Sequence, residues 1–67
     1  ARISAQRQVA ELAQALSPRE FEVLMLNCAD ELTAPEIGRI IGKSERAVHS
    51  ILFRARKKAR EKLAQDG

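Results

Sequence analysis

Thr33-Ala34-Pro35-Glu36-Ile37-Gly38-Arg39-Ile40-Ile41-Gly42-Lys43-Ser44-Glu45-Arg46-Ala47-Val48 decides the fold. Thr33 with Glu36 three residues on is a capping box, and Pro35 falls in the first turn, where its missing N–H costs nothing. The pattern predicts a short helix from about Ala34 to Ile41, with Ile37, Ile40 and Ile41 inward. Gly42 stops it, because glycine takes the left-handed conformation at a helix end without a steric cost. Ser44 caps a long last helix, from about Glu45 to Gln65. A turn as short as Gly42-Lys43-Ser44 makes two helices cross steeply, as in a helix-turn-helix. Gly38 is small and permits a close approach, while Ile37, Ile41, Val48 and Ile51 or Leu52 fill the space between the helices. A plain three- or four-helix bundle with a tight turn is the other reading of these features.

Upstream, Ser17-Pro18-Arg19-Glu20 is a second helix start of the same kind. Ser17 caps the amides and Glu20 reaches back to the cap. The helix it opens is predicted from Pro18 to Cys28. Phe21, Leu24, Met25 and Cys28 form its apolar stripe, widened by Val23 and Leu26, with Cys28 expected to pack as a small apolar residue. Asn27 to Leu32 mixes polar residues and ends it. Before it, residues 3–16 place Ala5, Val9, Leu12, Ala13 and Leu16 on one helical stripe. Residues 1–16 are thus a linker or a first helix, and residues 17–67 the domain proper. The fold class is all-α: a small bundle of about four helices containing a helix-turn-helix, with a long C-terminal recognition helix.

Size and composition narrow the function. A chain of 67 residues is one domain at most, burying about 60% of the surface its unfolded form exposes. It opens on Ala1 rather than Met, as a piece of a longer protein would. No apolar run of spanning length and no signal-peptide pattern occurs. One Cys and one His make neither an intramolecular disulfide nor a structural zinc site. There is no glycine-rich phosphate loop and no Cys/His nucleophile pair, so no enzyme and no cofactor are expected.

The net charge of +3 hides an asymmetry. Residues 1–33 hold three basic and five acidic side chains, a net −2, whereas residues 34–67 hold nine and four, a net +5. Such a split fits a polyanion on the basic side or a solvated basic helix face. At about 100° per residue, Val48, Ile51, Leu52, Ala55, Ala59 and Leu63 fall on one side of the last helix. Arg46, His49, Ser50, Phe53, Lys57 and Arg60 fall on the other.

A recognition helix places its N-terminal part against base edges in the major groove. Arg46 is there, able to bond a guanine edge with both arms of its fork, with His49 and Ser50 as weaker donors or acceptors. A lone exposed His is as readily read as merely solvated. Arg54, Arg56, Lys57, Lys58, Arg60 and Lys62 suit phosphates or another protein better than bases. Arg39, and the helix-start amides at Thr33 and Ser44, are phosphate candidates. Phe53 either leans on the second helix or sits in a protein interface; Lys58 and Arg60 are further candidates for protein contact.

Leu16-Ser17-Pro18-Arg19-Glu20-Phe21-Glu22-Val23-Leu24, Glu36-Ile37-Gly38, Ile41-Gly42-Lys43-Ser44, Val48, Ser50 and Leu52 through Lys58 resemble region 4 of bacterial sigma factors, of the extracytoplasmic-function type. The resemblance covers about residues 14–64 and is most specific in the basic tail, Leu52-Phe53-Arg54-Ala55-Arg56-Lys57-Lys58-Ala59-Arg60-Glu61-Lys62-Leu63. It implies a bacterial cytoplasmic domain that reads the −35 promoter element and docks on the β flap of RNA polymerase. It also implies exposure to anti-sigma factors. Promoter melting belongs to region 2 of that family, which this chain lacks.

The sequence departs from the family pattern at several points. Arg46-Ala47 stands where Gly-Thr is common, so Ala47 occupies a DNA-facing position without a donor. His49 and Ile51 replace the Lys and Arg that often flank Ser50. Lys43 replaces an apolar residue, Glu31 a glycine and Ala34 a frequent aromatic. The DNA sequence read therefore differs, or the domain binds protein more than DNA. Ser17-Pro18-Arg19-Glu20 and Ser44-Glu45-Arg46 with Val48 are also close to the DNA-binding domains of response and quorum-sensing regulators, against which the Arg54-Ala55-Arg56 tail argues.

Overall fold

Both capping boxes form as the sequence requires. In the computed structural model, which describes the backbone of residues 2–66 and the side chains of residues 7–64, the Ser17 amide donates to Glu20 Oε1 at 2.9 Å and the Glu20 amide to Ser17 Oγ at 3.2 Å. The Thr33 amide donates to Glu36 Oε1 at 2.8 Å and the Glu36 amide to Thr33 Oγ1 at 3.4 Å. Four helices result: α1 Arg2–Ala15, α2 Pro18–Cys28, α3 Ala34–Ile41 and α4 Glu45–Asp66. No strand occurs among the described residues, and the fold is an all-α bundle with a helix-turn-helix.

At 1.5 Å per residue the 22 residues of α4 span about 33 Å. The long dimension of the molecule is 34 Å, so α4 is its spine. α1, α2 and α3 all pack on it. The core is Leu16, Val23, Leu24, Ala34, Ile37, Val48, Ile51, Leu52 and Ala55, with Val23, Ile37 and Val48 fully buried. Phe21, Leu26, Leu32, Ile41 and Ala59 pack half-buried against it.

The turn between α3 and α4 depends on two glycines. Gly42 lies at φ 73°, ψ 36°, in the left-handed region. Its amide and that of Lys43 both turn back to the Gly38 carbonyl, the latter at 2.9 Å. Gly38 is needed for space: a Cβ there would stand 2.5 Å from the Lys43 carbonyl oxygen and 3.6 Å from a Val48 methyl. The close approach is thus first to the backbone of the turn, and then to α4.

Several inward expectations are corrected. Ile40 is 60% exposed. The buried arc of α3 is Ala34, Ile37 and Gly38, with Ile41 beside it, and Ile40 lies about 110° around the helix from its centre at 100° per residue. Cys28 is exposed. The buried residues of α2 are Glu20, Val23 and Leu24, an arc turned away from the Phe21–Met25–Cys28 stripe. Phe21 therefore flanks the core without belonging to it.

On α1, Leu12 is half-buried while Val9 and Ala13 are exposed, because only one edge of that helix reaches the bundle. The side chain of Ala5 lies outside the described residues. Leu63, 38% exposed, marks where α4 runs beyond the core.

The α2–α3 connection carries backbone strain at Glu31, the one non-glycine residue at positive φ (57°) among those described. A left-handed residue with a Cβ costs about 1–2 kcal/mol, and glycine gives up about 0.5–1 kcal/mol of chain entropy. Glu31→Gly is therefore expected to raise stability by about 0–1.5 kcal/mol, the difference of those two terms, read from a urea midpoint. A lower midpoint would contradict the strain.

Candidate nucleic-acid interface

The exposed face of α4 begins at Ser44. Its Oγ accepts from the Ala47 amide at 3.2 Å, which fixes the first turn of α4 at the end of the Gly42 turn. From that start, Arg46, His49, Ser50, Phe53, Lys57 and Arg60 are all exposed, and Ala47 is half-buried. The inward side is Val48, Ile51, Leu52 and Ala55. Two-sided patterning along α4 thus brings the predicted face together.

Thr33 and Arg39, both exposed, are on α3 or at its start. Phe53 is 67% exposed, with most of its ring in solvent. It lines a shallow hollow with His49, Leu52, Arg56 and Arg60.

Electrostatics sort the cations further. Glu20 is buried in the α2–α4 seam, and its carboxylate accepts from Lys58 Nζ at 2.9 and 3.1 Å. Arg54 Nε is 3.9 Å from the same carboxylate. Lys58 therefore ties α4 to α2, and Arg54, predicted to face phosphate, stands with one edge toward Glu20 and most of its side chain in solvent. On the other flank, Arg56 Nη2 donates to Asn27 Oδ1 at 2.6 Å. Lys57 and Arg60 remain on the open face.

His49 Nε2 lies 3.3 Å from Glu45 Oε2, an ion pair only when the imidazole is protonated. Glu45 was not among the residues expected at the site, although its i,i+4 spacing to His49 is a readable signal. Asn27 and Glu20 had no such signal as parts of the site, because their partners on α4 lie 29 and 38 residues away.

The Ser17 amide, and after it Lys58, holds the Glu20 carboxyl below its ordinary value of 4.5. The Thr33 amide, and after it the Thr33 hydroxyl, does the same for Glu36. A carboxyl whose folded pKa is depressed adds stability above its unfolded pKa and loses it as pH falls through the folded value. Melting temperature should therefore be flat above about pH 5.5 and fall below about 4.5. Glu20→Gln keeps a cap acceptor but removes the charge, so the acid slope should flatten. An unchanged acid slope in that variant would show that Glu20 does not contribute.

No group of three or more His, Cys, Asp or Glu able to hold a metal ion occurs among the described residues. No described helix is long and apolar enough to cross a membrane.

A short helix, a glycine turn and a longer helix with an outward basic, polar face define a helix-turn-helix DNA-binding module. The family description sigma-70, region 4, matches residues 6–58. The chain belongs to that family, whose members are DNA-binding regions of transcription sigma factors, not enzymes. Neither the curated proteins nor the solved structures yield a significant match to the chain.

Proposed function

We propose that this chain reads the −35 element of a promoter through the first turns of α4 and docks on RNA polymerase. The observation that carries the reading is the exposed row Arg46, His49, Ser50 behind the Ser44 cap, in a chain of the sigma region 4 family. Arg46 is the base-reading donor. His49 and Ser50 add contacts, and Ala47 lets the backbone come close without one of its own. Thr33, Arg39, Ser44, Arg54 and Lys57 face phosphates. Phe53, with Arg60 and the exposed part of Lys58, serves protein contact, either with the polymerase β flap or with an anti-sigma or other regulator.

The basic tail and the motifs around it support the extracytoplasmic-function type and a place in the bacterial cytoplasm. Of the segment read as linker or first helix, α1 (Arg2–Ala15) serves as the first helix of the domain, on the support that it packs against α4 and α2.

A good bidentate contact discriminates by about 1–3 kcal/mol against the wrong base. Arg46→Ala is therefore expected to lower affinity for the preferred −35 duplex by roughly ten- to a hundredfold. Binding to a scrambled duplex should change little. Fluorescence anisotropy of the chain, alone and in the polymerase-bound sigma factor, measures both. Equal binding to the two duplexes by the unmodified protein would reject base reading.

A further inference from the structure

We infer that Arg56 is a positioning residue of the DNA interface: it acts through Asn27 on the α2–α3 loop and thereby fixes where α3 starts. The inference rests on the DNA-binding reading above. Arg56 sits among the basic residues of α4, where composition suggests a phosphate contact. The geometry gives it a different partner. Its Nη2 donates to Asn27 Oδ1 at 2.6 Å, across 29 residues of chain. The other end of the same amide, Asn27 Nδ2, donates to the Leu32 carbonyl at 2.9 Å. The Leu32 amide in turn donates to the Leu26 carbonyl at 3.1 Å.

A continuous run of bonds thus leads from α4, through the last turn of α2, to the residue before Thr33. Thr33 is the N-cap of α3. The loop needs such a hold, because Glu31 within it lies at a φ of 57°, which a side chain disfavours. Arg56 suits the role because its fork keeps one arm in a fixed plane, losing less freedom per bond than a lysine would. Asn27 suits it because one amide both accepts and donates. The bond orients the Asn27 amide, and the amide holds the loop.

Salt dependence separates positioning from phosphate contact. A lost phosphate contact lowers the slope of log K against log salt by about 0.9, whereas a lost positioning bond lowers affinity at an unchanged slope. The experiment uses the full chain and a −35 duplex, with Arg56→Ala, Asn27→Ala, the double variant and Lys57→Ala. Arg56→Ala and Asn27→Ala should each reduce affinity about three- to tenfold at the unmodified slope. The double variant should be no worse than either single one, as expected for two members of one bond. Lys57→Ala should lower the slope.

Amide hydrogen exchange, without DNA, gives a second readout. Arg56→Ala should speed exchange of the Leu32 amide about five- to tenfold. A slope lowered by Arg56→Ala, additive losses in the double variant, or unaltered Leu32 exchange would each overturn the inference. If the unmodified chain bound no DNA, the proposed function would fail, and the exchange arm would still decide whether Arg56 holds the loop.

Discussion

Ile37→Ala is expected to destabilise the chain by about 3 kcal/mol, within the roughly 2–5 kcal/mol range for truncating a buried isoleucine to alanine. Ile37 is fully buried, on the arc by which α3 meets the core. It shares the core cluster with Val48 of α4, also fully buried, and the short α3 has few other anchors. A domain of this size has a total stability on the order of 3–10 kcal/mol. The substitution removes a large share of it and should lower the melting temperature by roughly 12–24 °C, at about 4–8 °C per kcal/mol for a small domain. The exposed Ile40→Ala is the control: 60% exposed, it should change stability by less than about 0.5 kcal/mol. Equal effects at the two positions would contradict the packing described for α3.

The second large effect lies at Gly38. Alanine is the better helix former by about 1 kcal/mol, so propensity alone predicts that Gly38→Ala stabilises α3. The space around Gly38 predicts the opposite. The added methyl would stand 2.5 Å from the Lys43 carbonyl oxygen, and that oxygen belongs to a turn closed by the Gly42 and Lys43 amides. The backbone must move, and overpacking of this kind costs about 1–3 kcal/mol. Those opposing terms leave a net loss of about 0–2 kcal/mol, centred on about 1 kcal/mol, read from urea or thermal unfolding.

The same displacement shifts Ser44 and the first turn of α4 relative to α3. Sequence preference for DNA should therefore fall more than stability alone explains, under conditions where the variant is fully folded. A Gly38→Ala protein as stable as the parent would show that the turn yields freely.

Local chemistry made most of this fold readable. Ser17 with Glu20, Thr33 with Glu36, and Gly42 before Ser44 are rules of neighbouring residues, and the boundaries of α2 and α3 follow from them. The outward row of Arg46, His49, Ser50, Phe53, Lys57 and Arg60 follows from helical periodicity. Tertiary pairing was hidden. Glu20 reads as a cap residue, and the sequence offers no sign that Lys58 completes its surroundings. A charged residue on the inner arc then turned α2, moving Cys28 out of the core and leaving Phe21 at its edge. Arg56 looked like one more basic residue because its partner, Asn27, appears locally to be only a helix end. Glu31 was legible as a departure from a glycine pattern, and its positive φ supplies the physical meaning of that departure.

The proposed function stands on DNA contact by the start of α4 together with Thr33 and Arg39 of the α3 segment. The most direct test is the amide spectrum of the 67-residue chain titrated with a −35 duplex, a method that registers even weak binding. Shifts should concentrate at Thr33, Arg39, Ser44 to Ser50, Arg54 and Lys57, and diminish as salt is raised. Shifts confined to α1 and the Leu63 end of α4, with Ser44 to Ser50 unmoved, would contradict it.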